Sequence, residues 1–174
     1  MGPGEKMRPQ LGTGAKGRSG YFTQAQVRRL VDHAERLHVG IMPEFDVPGH
    51  CLCVLAALPH LIDPGEVPNS YTSVQGYPNN AINPAMEETY EFLEKVFGEI
   101  ADLFPFPYVH VGGDEVAHGA WLKSPKAQAL MKAEGLAGTP ELQAHLLSRV
   151  QKMLAARGKK LSGWDEVSHG GGVD

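Results

Sequence analysis

Two adjacent carboxylates, Asp114 and Glu115, follow two glycines at the end of an apolar run, Tyr108-Val109-His110-Val111. The run has the length and composition of a short buried strand. Glycine admits backbone angles and close approaches that other residues resist, so Gly112-Gly113 can turn the chain sharply and present what comes next. Consecutive Cα atoms lie only ~3.8 Å apart. Two carboxylates held this close perturb one another and divide into a proton donor and an ionised partner, the pairing that general acid–base chemistry uses. The other reading of residues 110–115 is a solvated acidic turn.

The surrounding pattern supplies the elements that must position this turn. Thr23 with Gln26 forms a capping box, and Val27, Leu30, Val31, Ala34 and Leu37 follow at helical spacing as one apolar stripe. Residues 39–46 then read as a short buried strand. Residues 47–82 are rich in Pro, Asn and Gly, apart from an apolar run, Cys51–Leu58, of one or two helical turns. So long a connection in a compact domain tends to be functional. Asn83 is expected to cap the next helix with Pro84 at its first position, its buried stripe being Met86, Tyr90, Leu93, Phe97, Ile100 and Phe104. Beyond the 108–111 strand, Ser124-Pro125 starts a helix that ends at Gly135. Thr139-Pro140 starts another, carrying Leu142, Leu146, Val150 and Met153, and residues 160–164 form a third strand. Helices alternating with strands imply βαβ units and a parallel sheet.

The three strand ends carry similar cargo: Glu44, Asp46 and His50 after the first, Asp114 and Glu115 after the second, Trp164, Asp165 and Glu166 after the third. A (β/α)₈ barrel gathers its active-site residues at the C-terminal ends of its strands. A doubly wound open sheet obeys a similar rule, and three strands do not separate the two.

Bulk properties narrow the function. The chain has 174 residues, 42% hydrophobic and 21% charged, with 21 Gly and 13 Pro, and a net charge of −4. Length suggests one domain with a real core. The acidic balance offers no basic field for nucleic acid, and no apolar run approaches a membrane span. Residues 1–20, with six glycines among scattered Lys and Arg, read as an irregular lead-in without the apolar core of a secretory signal. Cys51 and Cys53 suit neither a ready disulfide nor a complete zinc site, and read as packing residues. The set His110, Asp114, Glu115 and His118 matches no common metal-ligand spacing. No metal and no cofactor is expected.

Pro43-Glu44-Phe45-Asp46-Val47-Pro48-Gly49-His50, His110-Val111-Gly112-Gly113-Asp114-Glu115 and Gly163-Trp164-Asp165-Glu166 occur in that order. Together they resemble the core of the β-N-acetylhexosaminidases of glycoside hydrolase family 20, over about residues 20–170. Tyr21-Phe22-Thr23-Gln24 is similar to the family's entry to the preceding helix. The resemblance implies a TIM barrel and a retaining mechanism outside the usual two-carboxylate scheme, in which the substrate's own 2-acetamido carbonyl attacks the anomeric carbon. It implies that Glu115 is the general acid and later the base, and that Asp114 holds the acetamido N–H. His50 and Asp46 would support the carboxylates, with Glu44 in the same motif. Trp164 would wall the acetamido pocket, with Asp165 and Glu166 as further substrate-binding residues. The implied partners are N-acetylhexosamine-containing glycans or chitooligosaccharides, and the implied location is periplasmic, secreted or lysosomal.

Three strands fall short of the eight strands and ~250 residues of a whole barrel. The family's sugar-gripping arginine and the aspartate that pairs with the motif histidine have no counterpart here. Nor have its later pocket residues. The expected architecture is therefore α/β: a partial TIM (β/α)₈ barrel of about three parallel strands over residues 21–174, cut at both ends, with poor stability or self-association. The alternatives are an inactive or carbohydrate-binding fragment of such a barrel and a metal-dependent TIM-barrel hydrolase.

Overall fold

The computed structural model describes residues 20–173, so the lead-in over 1–20 lies, but for Gly20, outside the described residues. The elements follow the order α1 (Gln24–Arg36), α2 (Leu52–Ala57), α3 (Glu87–Leu103), β1 (Tyr108–His110), α4 (Pro125–Glu134), α5 (Thr139–Ala155) and β2 (Lys160–Ser162). Short 3₁₀ segments cover Pro59–Leu61 and Asp165–Gly171.

β1 and β2 pair in parallel, with Tyr108 beside Lys160, Val109 beside Leu161 and His110 beside Ser162. The other edge of β1 takes the segment expected to be the first strand. There the structure differs from expectation: only Glu44 forms a bridge, parallel to His110. The ladder bonds are nevertheless present. The N–H of His110 donates to Pro43 (2.9 Å), that of Phe45 to His110 (3.0 Å) and that of Val47 to Val111 (2.9 Å). Pro43 and Pro48 lack donors of their own, which shortens any ladder this segment can build. Three consecutive parallel segments thus lie side by side, with α2 and α3 between the first two in sequence and α4 and α5 between the last two.

The main core packs this sheet against α3 and α5. Leu93, Phe97, Val109, Val111, Leu147, Val150 and Leu154 are all fully buried, each contributing about 1.5–3 kcal/mol by its removal from water. A second cluster, around the fully buried Trp121, joins Tyr71, Ala117, Ala120, Ala127 and Leu142. Trp121 therefore packs, while His118 is exposed.

Local signals placed most helix ends. The Thr23–Gln26 capping box is present, Ser124 caps α4 through the N–H of Ala127, and Gly135 closes it in a left-handed conformation. α3 departs from expectation, because it begins at Glu87 and not at Pro84. The Asn83 side chain instead accepts the N–H of Ala85 (2.9 Å) and donates to the Ser124 hydroxyl (3.0 Å). Those bonds hold an Asx turn ahead of the helix. The α1 stripe differs too: only Val31 is buried, and Leu30 and Leu37 are exposed, because α3 is the helix against which α1 packs. Cys51 is buried as expected, but Cys53 faces solvent.

Candidate active site

The turn after β1 is held from three sides. Gly112 and Gly113 both adopt positive φ, +66° and +87°. A side chain at Gly112 would fall on the Asp46 carboxylate, and one at Gly113 would meet Val167. Glycine is thus required at both for steric as well as conformational reasons. The N–H of Gly113 donates to Asp46 Oδ1 (3.2 Å), the carbonyl of Gly113 accepts Gln143 Nε2 (2.6 Å), and the carbonyl of Gly112 accepts the N–H of Trp164 (2.8 Å). The first parallel segment, helix α5 and the stretch after β2 therefore each grip this one turn.

Three of the expected carboxylates converge on the imidazole of a fourth expected site residue, His50. His50 Nε2 lies 3.5 Å from Glu115 Oε2, 3.6 Å from Asp114 Oδ2 and 3.9 Å from Asp46 Oδ2. His50 and Glu115 both sit at positive φ, +54° and +52°, a conformation that is uncommon outside glycine and is concentrated at functional sites. Glu115 is the most open of the four, its side chain 43% exposed. Asp114 is set deeper, and its Oδ1 is buried with no hydrogen-bond partner among the described residues. Burial, then the neighbouring charge of Asp114, pushes the Asp46 carboxyl up to about 6, against the lowering effects of the Gly113 N–H and His50.

Trp164 follows β2 and leaves half its surface open, 52%. Its ring meets that of His110 edge-on, with centroids 5.0 Å apart and planes at 76°. Glu44 approaches the same imidazole, its Oε1 3.4 Å from His110 Nδ1. Asp165 and Glu166 open the 3₁₀ segment beyond Trp164 and are not joined to the His50-centred cluster.

Gln143 was not singled out by its type. Its signal was its position: 143, 147, 150 and 154 follow helical spacing, and all four are buried. A glutamine on an otherwise apolar stripe needs a partner, and here the partner is the Gly113 carbonyl. His110 likewise read as one residue of an apolar strand, although it is the point where Glu44, Gly112 and Trp164 meet.

Comparison with known proteins gives a consistent result. The model of the glycosyl hydrolase family 20 catalytic domain matches residues 4–174. The β-hexosaminidase of Vibrio furnissii is 39% identical over 169 residues, 97% of this chain and 28% of the relative. The human β-hexosaminidase subunit beta is 32% identical over 162 residues, 91% of this chain and 28% of the relative. Among solved structures, the exo-β-N-acetylglucosaminidase of Vibrio harveyi in complex with N-acetylglucosamine superposes with a TM-score of 0.86. It is 46% identical, and the match covers 90% of this chain and 24% of that one. The chain spans about a quarter of the length of these relatives. With its Gly-Gly-Asp-Glu turn, its Pro-Gly-His loop and this match along nearly the whole sequence, the chain belongs to the catalytic-domain family of the family 20 glycosyl hydrolases.

Proposed function

We propose that this chain contributes the acid–base centre of a retaining β-N-acetylhexosaminidase, built on part of a (β/α)₈ barrel. The reaction is hydrolysis of terminal non-reducing N-acetylhexosamine from β-N-acetylhexosaminides, such as chitooligosaccharides, assisted by the 2-acetamido group. One observation carries the reading: among the described residues Asp114 Oδ1 is a buried acceptor with no hydrogen-bond partner, beside a more open Glu115. An unpaired buried acceptor is costly, and the N–H of an acetamido group is the kind of donor that would satisfy it.

In this reading Asp114 binds the acetamido N–H and turns the amide carbonyl toward the anomeric carbon. Glu115 protonates the departing glycosidic oxygen, then takes a proton from the water that opens the cyclised intermediate. The substrate supplies the nucleophile, so the two protein carboxylates need not face each other across the sugar. His50 and Asp46 support the pair from behind. Trp164 offers an aromatic face to the acetamido methyl and apolar sugar edge, with Asp165 and Glu166 beyond it toward the substrate.

The test is hydrolysis of an aryl N-acetyl-β-glucosaminide by the protein that carries this chain. Glu115→Gln should lower kcat by about 10²–10⁴, the usual contribution of general acid–base catalysis, and a thiazoline mimic of the cyclised acetamide should inhibit strongly. A rate that survives the substitution, or that is abolished by a chelator, would overturn the reading.

A further inference from the structure

We propose that His110 is a positioning residue, whose single ring holds the carboxylate turn and the Trp164 wall in one arrangement. Its kinetic consequences rest on the hexosaminidase reading, but its geometry does not. His110 ends β1 and is only 8% exposed. Its Nδ1 accepts the N–H of Gly112 at 3.2 Å, within the turn that delivers Asp114 and Glu115. Its ring edge packs on Trp164 at a 5.0 Å centroid distance. The backbone N–H of Trp164 in turn donates to the Gly112 carbonyl at 2.8 Å. The imidazole, Trp164 and the turn therefore close a circuit, through a ring contact on one side and a backbone bond on the other.

The chemistry of Nδ1 gives this circuit a definite form. An imidazole nitrogen is either a bare acceptor or an N–H donor. Bare, Nδ1 serves Gly112, and the ring proton sits on Nε2. Protonated, Nδ1 would turn to Glu44 Oε1, 3.4 Å away, and the Gly112 N–H would lose its partner. A side chain at Gly112 would strike the Asp46 carboxylate on its other side, and the Nδ1 bond is the contact that ties the turn to the end of β1.

The first test uses the unaltered ¹⁵N-labelled protein that carries this chain. A scalar coupling through the N–H···N bond between the Gly112 amide and His110 Nδ1 is expected, with Nδ1 unprotonated. A protonated Nδ1 without that coupling would overturn the proposal. Two variants then separate the ring's two contacts. His110→Asn keeps an acceptor near the Nδ1 position and removes the ring, whereas His110→Phe keeps a ring and removes the acceptor. His110→Phe should speed amide exchange at Gly112 and lower kcat, each by about tenfold, as expected for one net hydrogen bond. KM should hold in this variant. His110→Asn should protect Gly112 but shift the Trp164 emission (identified by difference against Trp164→Phe) and raise KM about threefold, in keeping with one aromatic pair. Variants that shift both signals equally would show a merely structural ring, and sink the proposal. The predicted coupling without hydrolysis by the unaltered protein would instead count against the proposed function alone.

Discussion

The Asp46 carboxylate fills the space that a side chain at Gly112 would need, while its Oδ1 accepts the N–H of the next residue, Gly113, at 3.2 Å. One carboxylate thus sets the shape of the turn twice, by exclusion and by attraction. It does so from a different segment of the sheet, 67 residues earlier in the chain than its bonding partner.

Gly112→Ala should therefore destabilise the protein by about 1–3 kcal/mol for the left-handed backbone alone, with a further penalty as Asp46 is displaced. Urea unfolding measures the first effect. Hydrolysis of an aryl glycoside measures the second, and its loss should exceed what the fraction unfolded explains.

Asp46 also predicts a pH dependence. Its folded-state pKa of about 6 lies above its ordinary value of 3.8, so the folded chain holds this proton more tightly than the unfolded chain. The group's contribution to stability is greatest when it is protonated, and declines as pH rises from about 4 through about 6. Asp46→Asn removes that decline. Its unfolding free energy relative to the parent should improve steadily across this interval, and a difference independent of pH would refute the assignment.

Gln143→Leu leaves the Gly113 carbonyl without its buried donor. Such a loss costs about 1–3 kcal/mol, and leucine's similar bulk keeps the helix stripe filled. Thermal unfolding should show the cost. Faster amide exchange confined to residues 112–115 would show where it is borne.

Glu66 carries the same logic away from the site. Burial and the nearby Asp63 raise its pKa to about 7, and it lines a cavity of about 250 Å³ with Leu52, Leu55, Leu61 and Pro78. Ionisation of Glu66 opposes folding, so stability should fall as pH rises from about 4.5 through about 7. Glu66→Gln should flatten that fall and raise the melting temperature at pH 8. A lower melting temperature there would show that the charge is useful.

Much of this arrangement was legible in the chain. Capping at Thr23 and Ser124, the left-handed close at Gly135 and the stripes of α3 and α5 are local features, written in residues three and four apart. The grouping of Glu44, Asp46, Asp114, Glu115 and Trp164 at strand ends followed from the alternation of elements. What escaped was tertiary. The exposed face of α1 depends on which element lies opposite, and the delayed start of α3 depends on Asn83 finding Ser124, 41 residues away. The importance of Gln143 depends on a carbonyl left free by a glycine turn, and that of His110 on a ring contributed by the next strand. In each case the residue type was visible and its partner was not.

β1 has neighbours along both edges, the 43–47 segment on one side and β2 on the other. Strand side chains alternate between faces with a period of two, so a one-residue slip would turn every one of them over. Length variation should therefore be distributed unevenly along the chain. Residues can be added or lost at the exposed tip over 74–76, where Val74 is open to solvent and the surrounding bonds run between Ser73, Gly76 and Tyr77. A single insertion or deletion between Tyr108 and Glu115 would dismantle the turn outright. The most changeable and the least changeable stretches of the chain are separated by one helix.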